Sequence, residues 1–279
     1  MSSNNYVYLR NVEKGRTDWK LKVRVIREWR GITPTGEIFK GYNLLLLDAK
    51  NVRMVAYVPE WLIEKMRKIF TVGKMYTITN FQVKDYTPND KWRCVNNDKQ
   101  ILLTNNTKAR EMEVTEYFIA SNHFDFFEME DLPKLAKQNL ILADVVGVVI
   151  KRDNIKPVRN TKLGIDQMQV RMKITDGKRK INVIFWDKFA EEFQQDVDTN
   201  QYEEPLILII AKETDICNFS PTSYYINYKH HSVLQLRKML SETNFSEQNF
   251  STTQPKKPLK LFTVAEIKNL DQDYILVKF

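Results

Sequence analysis

The sequence predicts an all-β chain of two tandem five-stranded barrels, each with a helix between its third and fourth strands. Three observations carry this. The order strand, loop, strand, turn, strand, helix, strand, loop, strand occurs twice, about 125 residues apart. The strand stretches alternate apolar and polar side chains with period two, as a sheet with one buried face requires. The turns between them, Asp176-Gly177 above all, are those of short antiparallel hairpins.

In the first pass, Trp19 to Ile26 alternates apolar and basic residues and predicts a strand. The turn-forming stretch Gly31 to Gly36 follows, then a hairpin of Tyr42 to Leu47 and Val52 to Val58 about Asp48-Ala-Lys-Asn51. Pro59 to Phe70 has helical spacing at Trp61, Leu62, Lys65, Met66 and Ile69, with Pro59 where a first helical turn tolerates it and Gly73 as the stop. Lys74 to Val83 predicts a fourth strand, Tyr86 to Lys91 a polar loop, and Trp92 to Val95 the start of the last strand.

The second pass runs Asp144 to Lys151, a long basic loop Arg152 to Asp166, then Met168 to Ile174 and Lys180 to Trp186 about the Asp-Gly turn. A short helix Asp187 to Phe193, the apolar strand Pro205 to Lys212, a loop Thr214 to Ser223 and a closing strand Tyr224 to Tyr228 complete it. Five strands with a helix between the third and fourth is the layout of the OB fold. The predicted domains are residues 1–110 and 141–240, joined by an acidic connector at 111–140 that packs on the barrels. Residues 241–279 read as a flexible linker followed by the start of a further, truncated domain.

Charge is uneven. Residues 1–110 carry 21 Lys/Arg against 10 Asp/Glu, whereas 111–140 carry 2 against 7 and 141–240 carry 15 against 13. The positive field of the first third suits a phosphate polymer. Catalysis is set aside: no Ser–His–Asp set, nucleotide-cradling glycine loop or metal cluster is visible. Cys94 and Cys217 lack metal-ligand or disulfide spacing, and His123, His230 and His231 complete no zinc pattern with them. No cofactor or metal is expected. The first residues lack a signal-peptide core and the longest apolar run, Leu206 to Ala211, is too short to cross a bilayer, so a soluble intracellular protein is expected.

Each third strand ends in a large aromatic residue on its non-core side, Tyr57 and Trp186. Arg53 precedes the first, and Lys180 and Asn182 the second. Such a ring stacks on a base of any identity while the cation meets phosphate; packing beneath the following helix is the other use, and the pattern leaves both open. The loops before the fifth strands add Trp92, beside Arg93, and Phe219, aromatics in polar settings with little core to join. The first loops add Arg27, Arg30 and Lys40 in one unit and Lys151, Arg152, Lys156, Arg159 and Lys162 in the other. These loops flank the groove of an OB fold.

At these residues the chain resembles the large subunit of replication protein A, above all the plant replication-factor-A-like group with its Helitron-transposon relatives. The matching stretches are Trp19 to Arg30, Leu45 to Asp48, Val72 to Phe81 and Lys91 to Gln100 in the first unit, and Asp144 to Val149, Ile174 to Gly177 and Val183 to Phe189 in the second. The resemblance spans residues 5–240 and implies two tandem OB domains that bind single-stranded DNA with little sequence specificity. It makes Tyr57, Trp92, Trp186 and Phe219 stacking residues, Arg53 a phosphate or base contact, and Lys40 a basic groove position. Tyr57 stands where the family usually has phenylalanine, and still stacks. Of the family's zinc-bearing third module only a stretch like its start, Phe262 to Phe279, is present. The resemblance further implies a nuclear role in replication, repair and recombination, with other replication protein A subunits or replication proteins as partners. Single-stranded RNA is the alternative ligand, and a module that docks an acidic protein is the alternative of another class.

Overall fold

The structure, a computed structural model, describes residues 6–30, 41–88, 90, 93–113, 118–138, 140–160, 164–211 and 222–242. They form two compact units. The first holds the chain up to Asp125 together with Gln138–Ala143, and the second holds Phe126–Lys137, Asp144–Ala211 and the described residues from Ser223 on. Both are OB folds.

In the first unit, β1 (Lys20–Trp29) pairs antiparallel with β2 (Gly41–Leu47), and β2 with β3 (Arg53–Pro59). The β2–β3 corner is built by Asp48, whose Oδ1 accepts the N–H groups of Lys50 and Val52 at 2.8 and 3.0 Å, while Asn51 takes the left-handed conformation at φ 59°. Pro59 leads through the 3-10 turn Glu60–Leu62 into α1 (Ile63–Arg67), which turns Leu62, Ile63 and Met66 onto the core. β4 (Met75–Thr79) returns along β1, breaks at Asn80 (φ 57°), and continues as β5 (Gln82–Asp85). β5 pairs with β6 (Lys99–Leu102), which lies parallel to β3. Because β4 runs on into β5, the path β5-β6-β3-β2-β1-β4 closes on itself as a barrel.

Two expectations are corrected here. The fifth strand is β6, which starts at Lys99, and the described residues 93–98 before it form no strand: Asn97 turns the chain, its Oδ1 accepting from Lys99 N and its Nδ2 donating to Arg53 O, both at 3.0 Å. Cys94 and Val95 are buried, but on the outside of the barrel. A further strand, β7 (Lys108–Met112), covers the other edge of β4. Its sequence KAREM carries little strand propensity, and its pairing is set by the available edge.

The barrel interior is filled by Leu21, Val23, Val25, Leu44, Leu46, Met54, Ala56, Val58, Ile78, Phe81 and Ile101. A second apolar cluster lies outside, where Leu45, Leu47 and Val55 meet Val95, Met112 and Ile119. That is why Leu44–Leu47 is continuously apolar: both faces of β2 are buried.

The second unit contains α2 (Leu132–Gln138), β8 (Asp144–Arg152), β9 (Lys156–Asn160), β10 (Ile165–Thr175), β11 (Lys180–Trp186), α3 (Asp187–Thr199), β12 (Ile207–Ala211), β13 (Ser223–Ile226) and α4 (His231–Glu242). Its strand order is β11-β10-β8-β12-β13, the same path as in the first unit, and among the described residues no ladder joins β11 to β13. The Asp-Gly hairpin forms as expected: Gly177 takes φ 93° and Asp176 Oδ1 accepts from Lys178 N and Arg179 N. The expected basic loop is largely a strand, since β9 folds back along the first half of β10. α3 runs six residues beyond the expected Phe193; its Ala190 and Phe193 face the core, and Phe193 joins a ring cluster with Phe185, Phe189 and Tyr224. α4, which the sequence pattern does not announce, buries Val233 and Leu240. The linker and third-domain expectation falls at 243–279, outside the described residues.

Candidate nucleic-acid interface

The strand registers of the first unit set its outer face in three cross-strand rows. At one end stand Trp29, Asn43 and Tyr57, in the middle Arg27, Leu45 and Val55, and at the other end Arg24, Leu47 and Arg53. Burial follows the rows. The middle row is buried, whereas Trp29, Asn43 and Tyr57 are each half-buried. The open end is therefore the aromatic one.

The Arg53 end is covered by the chain from Ile119 to Asp125. Arg24 donates from Nε and Nη2 to Ile119 O at 3.1 and 2.8 Å. Arg53, with a side chain 3% exposed, donates from Nη2 to Asp125 Oδ2 at 2.9 Å. His123 Nε2 stands 3.2 Å from the other oxygen. The hydrogen bond from His123, then the charge and hydrogen bond of Arg53, hold the Asp125 carboxyl down at about 2 against the opposing effect of burial. Arg53, a contact the resemblance implies for phosphate or base, is in this structure a covered ion-pair partner of Asp125. Arg27 is buried within the middle row.

Tyr57 is held by a close backbone approach. A Cβ on Gly41 would stand 2.6 Å from Tyr57 Oη and 2.8 Å from Cε2, and Gly41 sits at φ 146°, so only glycine lets the ring lie across β2. Arg30 Nε donates to the carbonyl of that same Gly41 at 3.3 Å. The structure thus brings Tyr57 and Arg30 together about one glycine. Arg93 lies in the loop before β6, tied by Nε to Asp90 O and by Nη1 to Asn97 O, each at 3.4 Å, with its guanidinium 5.1 Å over the Tyr86 ring. Lys40, Trp92, Lys162 and Phe219 lie outside the described residues.

In the second unit Trp186 is the last residue of β11, and Asp187 turns the chain into α3 at φ 48°. The Asp187 carboxylate accepts from Gln167 Nε2 and Met168 N at 2.8 and 3.0 Å, which fixes the corner. The register gives the rows Lys156–Gln169–Trp186, Arg171–Ile184, Lys151–Lys173–Asn182 and Thr175–Lys180. Trp186 and Asn182 are half-buried and Lys180 is exposed. Lys156 and Arg159 are exposed on β9, 3.5 Å from Asp153 and 3.2 Å from Asp166.

Several residues of these faces are not among those the sequence singles out: Trp29 and Asn43 in the first unit, and Gln169, Arg171 and Lys173 in the second. The signal for the last three was present in β10, where Gln167, Gln169, Arg171 and Lys173 alternate with Met168, Val170, Met172 and Ile174. Trp29 carries no such signal, because the register shift between Val25 and Arg27 breaks the alternation ahead of it.

Residues 10–131 match a family model described as a domain of unknown function, DUF223. The chain is 25% identical over 201 residues to a replication protein A 70 kDa DNA-binding subunit of Arabidopsis thaliana, covering 69% of this chain and 30% of the relative. It is 25% identical over 190 residues to the replication factor A 51 kDa subunit of Crithidia fasciculata, covering 65% and 38%. The chain thus spans about a third of the length of these curated relatives. Among solved structures, a replication protein A heterotrimer bound to single-stranded DNA aligns at a TM-score of 0.49 and 16% identity, covering 86% of this chain and 56% of that one. The likeness to the replication protein A large subunits is borne out by these relatives.

Proposed function

We propose that the chain binds single-stranded DNA with little sequence specificity and carries out no catalysis. Bases stack on the aromatic residues near the ends of the third strands, Tyr57 and Trp186, and Lys and Arg side chains around them meet the phosphates. The observation that carries this reading is a repeated one: Tyr57, two residues before the end of β3, and Trp186, the last residue of β11, are both half-exposed aromatic side chains on the outer side of the third strand of an OB fold. Arg30 flanks the first ring, and Arg171, Lys173 and Lys180 lie along the strands of the second. Stacking reads ring faces, which all bases share, so discrimination between sequences is small.

Two modules on one chain hold the same strand more tightly than either alone, because the second engagement is intramolecular. By likeness to relatives named as replication protein A DNA-binding subunits, the setting is nuclear DNA replication, repair and recombination, alongside other replication proteins. Trp92 and Phe219 belong to the same proposal as further stacking groups, and Lys40 and Arg93 as basic ones.

The test is a fluorescence-anisotropy titration with a thymine-rich single strand and the matching duplex. Tight, salt-sensitive binding of the single strand with much weaker binding of the duplex is the expected result. Equal binding of both, or of neither, would overturn the reading.

A further inference from the structure

On the outer face of the second barrel, two residues of one cross-strand pair each carry a buried donor with no acceptor among the described residues. Gln169, on β10, is 0% exposed, and Arg171 Nε donates to its Oε1 at 2.5 Å. That bond fixes the amide: the oxygen must face Arg171, because a guanidinium can only donate, and so Nε2 faces away. Gln169 Nε2 is buried and has no acceptor among the described residues. Its cross-strand partner is Trp186, whose Nε1 is buried in the same condition. Buried donors without acceptors are rare in folded proteins, and two in one cross-strand pair mark a place where an acceptor is missing. Facing side chains of such a pair start about 5 Å apart, close enough for one flat molecule to meet both.

We propose that Gln169 and Trp186 form an edge-reading subsite that takes a base carbonyl oxygen and rejects an exocyclic amine. This deepens the single-strand reading and rests on it. Two donors and no acceptor complement the 4-oxo edge of thymine or the 6-oxo edge of guanine. The 6-amino group of adenine would present donor to donor. Stacking uses the face of the indole and this contact uses its edge, so one base lies on the ring while the adjoining base meets the donors. Trp186 is the partly exposed member of the pair. Lys156 lies in the same row, beyond Gln169, where a phosphate can reach it.

The test compares two homopurine strands of equal length, oligodeoxyinosine and oligodeoxyadenosine, so that no thymine carbonyl fills the subsite in either. The two purines have the same two-ring frame and differ at the 6-oxo or 6-amino position and in the attendant N1 proton. The wild-type chain is expected to favour the inosine strand about threefold, and Gln169→Leu to erase that preference. Trp186→Phe keeps a smaller stacking ring and loses the N–H; total affinity falls with the ring area, and the readout is the ratio between the two strands, which moves toward one. Gln169→Glu, nearly isosteric, exchanges the donor for an acceptor and serves where the leucine variant fails to fold. An unchanged preference in folded variants that still bind overturns the subsite alone. Failure of the wild type to bind either strand overturns the single-strand reading and the subsite with it.

Discussion

The two barrels share a strand path and differ in what lies over it. On the first, the outer face of β1–β3 is half covered: Val95, Met112 and Ile119 bury Leu45, Leu47 and Val55, and Arg53 is closed in by Asp125. Of its three rows, the one with Trp29, Asn43 and Tyr57 is left half-exposed. On the second, the matching face of β10 and β11 keeps Arg171, Lys173 and Asn182 half-exposed and Lys180 exposed. The regional charge points the other way, with the strong positive excess in residues 1–110 and near balance in 141–240. A regional sum therefore does not report a groove. Arg24 and Arg53 count fully toward the first barrel's charge while serving to fasten the chain segment that covers it.

The largest effect that would sharpen this comparison is on affinity. The double variant Tyr57→Ala with Trp186→Ala should bind a thymine-rich oligonucleotide at least about a hundredfold more weakly, since each stack contributes on the order of 1–3 kcal/mol. Isothermal titration on the folded variant measures it, and an unchanged affinity would remove both rings from the interface.

Next is stability. Arg53→Ala opens a covered ion pair and should lower the unfolding free energy by about 1–3 kcal/mol in urea titration. The salt dependence of DNA binding by this variant should match the wild type, because Arg53 is covered and paired with Asp125. A reduced salt slope at unchanged stability would return Arg53 to the groove. Lys173→Ala with Lys180→Ala should do the reverse, leaving the melting temperature in place and reducing the log–log salt slope by about 0.7 for each phosphate no longer neutralised.

The smallest effect is in pH. Asp125 titrates at about 2 in the folded chain against an ordinary 3.8, so folding favours its charged form. The stability this confers is fully present above about pH 4 and is lost as pH falls toward 2. Thermal melts from pH 5 to 2 should show a decline in the first barrel that Asp125→Asn makes shallower. Equal pH dependence in the two proteins would mean that the Arg53–Asp125–His123 contact contributes nothing to folding.

Much of the fold was legible because strand alternation and turn chemistry are local. The Asp-Gly hairpin, the paired third strands with their terminal aromatics and the intervening helices all follow from neighbours in sequence. What was illegible depended on distant partners. Cys94 and Val95 look like a strand because they are apolar, and only the outer cluster with Leu45 and Val55 shows that they are a cover. β7 forms because β4 offers an open edge, which no property of KAREM announces. At the candidate site the outward placement of Tyr57 and Trp186 was readable from period two. The fate of Arg53 was not, since it turns on Asp125, 72 residues away. Gln169 sits on a strand that alternates cleanly, yet an amide gives no sign in sequence of whether its donor will find an acceptor, and its burial depends on Arg171 and Trp186 closing around it.

The central claim is that base faces, and not phosphates alone, hold the strand. The most direct measurement compares the affinity of the wild-type chain for oligothymidylate with that for an abasic strand of the same length and charge. The account predicts that the abasic strand binds at least about a hundredfold more weakly, and that the Tyr57→Ala, Trp186→Ala variant barely distinguishes the two. Equal affinity of the wild type for both strands would contradict it.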